Sequence, residues 1–194
     1  MKRGFFVITL ILTTVAVFGQ SKDSCYAGVY LTKADFVAKH LTHKINENIK
    51  GDKLKFTFPA DLTFTIKIIS PDSTIIFKPG TIFGYYECGE IFRYSPGTEW
   101  NGQEDYYKIE ESKGLIIYSS AFISGAESFY SLNPTSPIHR LTMKNLEVDF
   151  KDHPDFIIAL KKLNKDVDDG LATRNKDGSF IVNQVYRETL APRK

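Results

Sequence analysis

The sequence predicts an α+β fold: an antiparallel sheet or half-barrel of seven to eight short strands, with one N-terminal and two C-terminal helices. Two observations carry this. Through the middle of the chain, apolar residues recur at every second position in short runs divided by Gly, Pro, Asn and Ser turns. Near both ends the apolar spacing lengthens to three and four, the period of a helix face.

A short apolar run over 26–31 opens the domain. Thr32 follows as an N-cap, with Asp35 three residues on in the capping position. Val37, Leu41, Ile45 and Ile49 then recur every four residues and predict a helix that Gly51 ends. Beyond it the period changes. Leu54, Phe56 and Phe58 alternate with polar residues, as do Leu62, Phe64, Ile66 and Ile68, so both stretches read as half-buried strands. Turns at 70–73 and at Pro79-Gly80 bound the strand over 74–78. Gly89 divides the runs 81–88 and 90–94, which suits a hairpin or a bulge. The loosest segment is 95–105, with Pro96-Gly97 and Asn101-Gly102. Strand character resumes at 106–111, turns over Ser112-Lys113-Gly114 and returns through 115–119. A further strand is predicted over 128–132, before a proline-rich break.

The end of the chain reverts to helical spacing. Thr142 can cap a helix carrying Met143, Leu146 and Phe150. Pro154 stands where a first-turn proline belongs, ahead of an apolar face of Phe156, Ile157, Leu160 and Leu163. Lys161, Lys162 and Lys165 complement the negative end of that helix. The apolar stretch 180–186 fits either a helix or a strand.

Residues 1–19 form an address rather than part of the fold. Lys2 and Arg3 precede an apolar run over 4–18, and Gly19 closes it, the layout of a secretory signal peptide. The run is shorter than the roughly 20 residues that span a bilayer, and no basic stop follows it. The expected organisation is therefore a signal peptide over 1–19 and a single α+β domain over 20–194. The exported domain would lie in the periplasm or outside the cell, with no stable membrane anchor after signal removal. The chain carries 25 basic and 23 acidic residues, and loss of Lys2 and Arg3 with the leader leaves 23 of each. A neutral mature domain argues against nucleic acid as a partner.

Two cysteines remain, Cys25 and Cys88. In an oxidising compartment such a pair is a disulfide candidate, the alternative being two unrelated thiols. A catalytic Cys88 is disfavoured, because Glu87 and Glu90 beside it would hold its thiol protonated.

His40, His43 and Glu47 share one face of the predicted first helix and are the metal candidates. Their pattern, HLTHKINE, lacks the i, i+4 histidine pair of the metalloprotease helix, so a solvated helix face is the plainer reading. Asn164, Asp166, Asp168 and Gly170 have the look of a calcium loop. Asp169 stands where an EF-hand needs glycine, and Asn175 where it needs glutamate. No serine occupies a nucleophile elbow, and no glycine loop has phosphate-binding spacing. The adjacent pairs Glu104-Asp105 and Glu110-Glu111 would point to opposite sheet faces. Trp100, Tyr106 and Tyr107 are the ligand-binding candidates, since an aromatic loop can stack on a sugar or anchor a partner. The same tryptophan could instead pin its own loop to the sheet. No cofactor is expected.

Three stretches, GVYLTKADF (28–36), YYKIEESKGLIIYSS (106–120) and the segment 129–163 with its LTMKNL helix start, carry a resemblance. Together they make the chain similar to a broad group of uncharacterised exported proteins of Bacteroidota. That resemblance implies export and a small α+β domain, and it brings no activity and no site residue with it. The expectation is a non-enzymatic envelope or secreted module that binds an envelope protein or ligand. The alternative is a hydrolase acting on envelope glycan or peptide through carboxylates brought together only by the fold.

Overall fold

The computed structural model describes residues 25–57, 65–96, 104–120, 127–163 and 170–190. In chain order the elements are β1 (Tyr26–Tyr30), α1 (Lys33–Ala38), β2 (Thr42–Asn46), β3 (Lys53–Thr57), β4 (Thr65–Ser70) and β5 (Ser73–Phe77). There follow β6 (Gly84–Glu87), β7 (Glu90–Ser95), β8 (Asp105–Glu111), β9 (Ile116–Ser120), β10 (Ser128–Ser131) and β11 (His139–Arg140). The described helices of the C-terminal part are α2 (Met143–Asp149), α3 (Pro154–Leu163) and α4 (Ile181–Leu190).

The main sheet has eight strands in the order β11-β10-β9-β8-β7-β6-β1-β2, all antiparallel. Strands β6 to β11 form a meander in sequence order. The first strand joins its free edge by pairing with β6, and β2 adds beyond it. A second sheet, β3-β4-β5, has three strands. The α+β class and the antiparallel sheet agree with the sequence pattern.

Alternation of side chains gives the main sheet two different faces. On the inner face, Ala27, Val29, Tyr85, Phe92 and Tyr106 bury themselves against Leu54, Ile66 and Ile68 of the smaller sheet. Tyr85 and Phe92, opposite each other in register, stack at 4.3 Å between ring centroids. Further along the same face, Leu115, Ile117 and Tyr130 pack under the C-terminal helices with Leu146, Phe156, Leu160 and Val185. Between these two cores runs a polar strip in which Lys108 bridges Glu90 at 2.6 Å and Glu110 at 3.6 Å.

The N-terminal helix differs from the sequence reading. It starts as predicted, with Thr32 and Asp35 forming a reciprocal capping box, but it ends at Ala38. Lys39 takes a left-handed φ of 54°, and the His40 amide closes on the Asp35 carbonyl at 2.8 Å. The chain then doubles back as β2. The four-residue recurrence was coincidental: Val37 and Ile49 are exposed, whereas Ile45 is buried as a strand residue. Pairing with β1 and the β propensity of Thr42 and Ile45 outweigh a stripe only one residue wide.

At the other end both expected helix starts hold, and a third helix joins the two expected; Lys165 lies outside the described residues. Thr142 caps α2 by accepting from the Asn145 amide, and Pro154 opens α3. The undecided stretch 180–186 becomes the start of α4, which fastens to the sheet through Asn183. This asparagine is fully buried. It accepts from the Leu115 amide at 2.8 Å and donates to the Leu115 carbonyl at 2.9 Å, taking the place of a neighbouring strand. Gly114 makes room for it, since a Cβ there would meet Asn183 Oδ1 at 2.9 Å.

Two stability changes test this packing. Leu160→Ala, at a fully buried position, should lower unfolding free energy by about 2–5 kcal/mol. Asn183→Ala should lower it by about 3 kcal/mol, because both Leu115 backbone groups lose their partner. Chemical denaturation with an unchanged m-value measures both, and a loss below about 0.5 kcal/mol at either position would contradict its placement.

Candidate functional site

The outer face of the main sheet carries polar groups where a packed face usually carries none. In register order it presents Arg93 opposite Tyr107 and Ser95 opposite Asp105. Tyr118 and Ser120 follow on β9, and Phe129 and Ser131 on β10. Tyr107, Ile116, Tyr118, Phe129 and Ile138 form a small aromatic core around them.

Arg93 is the centre of this face and is only 5% exposed. One guanidinium nitrogen, Nη1, donates to Tyr118 Oη at 3.1 Å and to Ser131 Oγ at 3.4 Å. The other, Nη2, donates to the Ser136 carbonyl at 2.5 Å. The guanidinium also lies 5.3 Å from the Phe83 ring centroid. Among the described residues its Nε has no hydrogen-bond partner, and no carboxylate comes within ion-pair distance of it. A buried cation without a counter-charge is costly in a low-dielectric surrounding.

Asp105 is the anionic counterpart on the same face, 7% exposed. It accepts from Ser120 Oγ at 2.6 Å and from the Tyr106 amide at 2.6 Å. Burial raises its proton affinity above the ordinary aspartate range, and these two hydrogen bonds offset part of the rise. So this face buries one positive and one negative group that do not pair with each other.

A second cluster lies at the far end of β1. Cys25 and Cys88 form a disulfide, closing a sequence separation of 63 residues with the Cα atoms 4.4 Å apart. Cys88 sits in the β6–β7 hairpin turn, where it and Gly89 both have positive φ, 46° and 99°, as a two-residue type I′ turn requires. Its amide donates to the Tyr26 carbonyl at 2.9 Å, which fixes the turn against β1. Glu47, just past β2, places Oε2 at 3.2 Å from the Cys25 sulfur and 3.4 Å from the Cys88 sulfur. Its Oε1 accepts from the Leu54 amide at 2.7 Å. Glu87 stands nearby, and its proton affinity is raised, first by burial and then by the charges of Glu47 and Glu90.

The residues singled out from the sequence are distributed as follows. Cys25 and Cys88 are brought together. His40 faces Asp35 at 3.3 Å. His43 lies on β2 with its ring 5.7 Å from that of Phe77. Glu47 is at the disulfide. Once the predicted helix became a strand, the three metal candidates lost their common face. Tyr106 and Tyr107 are both buried, on opposite faces of β8, so they do not share one surface. Trp100, Asp166, Asp168 and Asn164 lie outside the described residues. Arg93 is not among the sequence candidates, and Asp105 is there only as half of the Glu104-Asp105 pair. The available signal for the first was a lone arginine inside an otherwise apolar and hydroxyl-bearing strand run, Ile91 to Ser95.

Comparison of the chain with protein-family models, with curated proteins and with solved structures finds no match in any of the three.

Replacing both cysteines by serine should lower stability by about 4 kcal/mol on the chain-entropy account of a loop this long. Calorimetry or denaturation under non-reducing conditions measures it, and an unchanged midpoint would show the clamp to be idle. Asp105 gives a pH signature. With the folded-state proton affinity raised, ionisation weighs against folding. That penalty is absent in acid, where folded and unfolded chains both hold the proton. It grows as pH rises from the ordinary aspartate range through the raised folded value, and is constant above. Asp105→Asn is therefore expected to raise Tm relative to the parent more at neutral pH than in acid. Equal differences at both would contradict the burial assigned to this carboxylate.

Proposed function

We propose that the chain is an exported, non-enzymatic binding module of the cell envelope or its surroundings, which recognises an anionic group through Arg93. One observation carries the reading: Arg93, only 5% exposed as a residue, has no carboxylate partner among the described residues. Natural cores rarely retain an uncompensated charge, and where they do it is commonly for function. Its surroundings suit a carboxylate or phosphate. Tyr118 and Ser131 supply hydroxyls joined at 2.8 Å. Ser136, whose carbonyl holds Nη2, belongs to the turn between β10 and β11, in which Asn133, Pro134 and Pro137 are exposed. That turn is the entrance a ligand would use. An arginine fork matches such oxygens geometrically, and displacing one carbonyl contact leaves room for a charge-assisted pair.

Export is supported by the leader pattern over 1–19, and the Cys25–Cys88 disulfide fits an oxidising compartment. Among the described residues no helix is long and apolar enough to cross a membrane. The rival hydrolase reading draws on Asp105, a carboxyl group with raised proton affinity as a general acid requires. Its hydrogen-bond partners are a serine and a backbone amide rather than a second carboxylate.

The experiment is titration of the purified chain with uronate-bearing and phosphate-bearing oligosaccharides, followed by calorimetry and by product analysis. Saturable binding without turnover, weakened about tenfold or more by Arg93→Met, is the expected result. Equal affinity in the variant would remove Arg93 from recognition. Turnover abolished by Asp105→Asn would install the hydrolase in its place.

A further inference from the structure

We propose that Cys25, Glu47 and Cys88 form a soft divalent-metal site, suited to zinc, whenever the Cys25–Cys88 disulfide is reduced. This inference is independent of the recognition face. The donor atoms of these three residues lie within 4.8 Å of one another, the one such trio of potential ligands among the described residues. A tetrahedral zinc ion with thiolate and carboxylate ligands holds them roughly 3.5–3.8 Å apart. Glu47 Oε2 already stands 3.2 and 3.4 Å from the two sulfurs. Only the sulfurs need to separate, and rotation about their own side-chain bonds supplies that.

The third ligand is positioned before any metal arrives. The Leu54 amide holds Glu47 Oε1 at 2.7 Å and leaves Oε2 turned to the sulfurs. Such an orienting contact behind a ligand is what distinguishes a built site from a chance encounter. The Glu47 amide also donates to the Cys25 carbonyl at 2.8 Å, so two of the ligands are tied together through the backbone. The charge balance points the same way. Among the described residues neither Glu47 nor Glu87 has a lysine or arginine within ion-pair distance. A divalent cation would supply the missing positive charge in this acidic corner.

The chemistry balances with a small thiol as reductant. Two thiol molecules are oxidised to their disulfide, and the protein disulfide is reduced to two cysteine thiols. The metal then displaces one proton from each thiol to solvent and binds two thiolates and the Glu47 carboxylate. Three protein ligands leave the fourth position to water. The oxidised state excludes the ion, because both sulfurs have spent their donor charge on each other. The corner would thus exchange one cross-link for another according to the thiol supply around it.

Cobalt(II) is the probe, since it adopts zinc geometry and reports thiolate ligation by charge-transfer absorption. The full chain, reduced by a phosphine and freed of it without oxygen, should take up a single equivalent with that absorption. The oxidised chain should show none, and zinc should displace the cobalt. Glu47→Gln, which leaves the disulfide able to form, should weaken binding about tenfold or more. If the reduced chain loses its fold, cobalt should restore its circular dichroism. Absence of the charge-transfer band, failure to restore a lost fold, or equal affinity in Glu47→Gln would each overturn the site.

Discussion

The pairing of β1 with β6 is the constraint on which the N-terminal half of the molecule depends. It joins segments far apart in sequence, with Ala27 opposite Glu87 and Tyr30 opposite Gly84. Without it the β1–β2 pair has no sheet to extend, and the Ala27 and Val29 surface that packs on the three-stranded sheet is cut off from Tyr85 and Phe92. Two glycines in these strands admit their outer neighbours, Gly28 the strand β2 and Gly84 the strand β7. A Cβ on Gly28 would meet the Thr42 carbonyl at 3.2 Å, and one on Gly84 would collide with the Phe92 carbonyl and crowd Phe36. The disulfide sits at one end of this seam, and the Tyr30, Phe36 and Phe83 rings, edge to face at 5.2 Å, sit at the other. One seam is thus pinned covalently at its start and by aromatic packing at its finish.

The inner face is divided rather than continuous. Glu90, Lys108 and Glu110 lie between the core under the small sheet and the core under the helices. Partly exposed pairs of this kind contribute little stability each. Their effect is one of position: a ladder of charges down the middle of a sheet gives the covering layers a boundary that neither crosses. The outer face follows another rule. There the buried charges Arg93 and Asp105 stand apart, each held by hydroxyls and backbone groups instead of by its opposite.

Much of the fold was legible in the sequence because alternation and punctuation agreed. The Cys88-Gly89 turn, the Ser112-Lys113-Gly114 turn and the Thr142 and Pro154 helix starts all fall where local chemistry places them. The sequence pattern overstates the length of the N-terminal helix, since a single residue per turn cannot distinguish a helical stripe from a strand whose apolar residue happens to share that spacing. Whether 180–186 was helix or strand turned on Asn183, which only a distant strand end could satisfy. The disulfide was a pairing the composition permitted, and the strand register made it possible. The Arg93 face was invisible for a different reason: burial without a counter-charge is a property of neighbours in space, and Tyr118, Ser131 and Ser136 lie 25 to 43 residues away along the chain.

The bond between Asn183 and Leu115, which spans 68 residues, also implies an order of assembly. The β6 to β9 hairpins join near neighbours and can form early, whereas contacts of such long range carry a large loop-closure entropy and come late. Until α4 arrives, the Leu115 amide and carbonyl remain hydrated at an open sheet end. The hairpin of β8 and β9 is therefore a landing place prepared in advance, and docking of α4 is the event that dries and closes it.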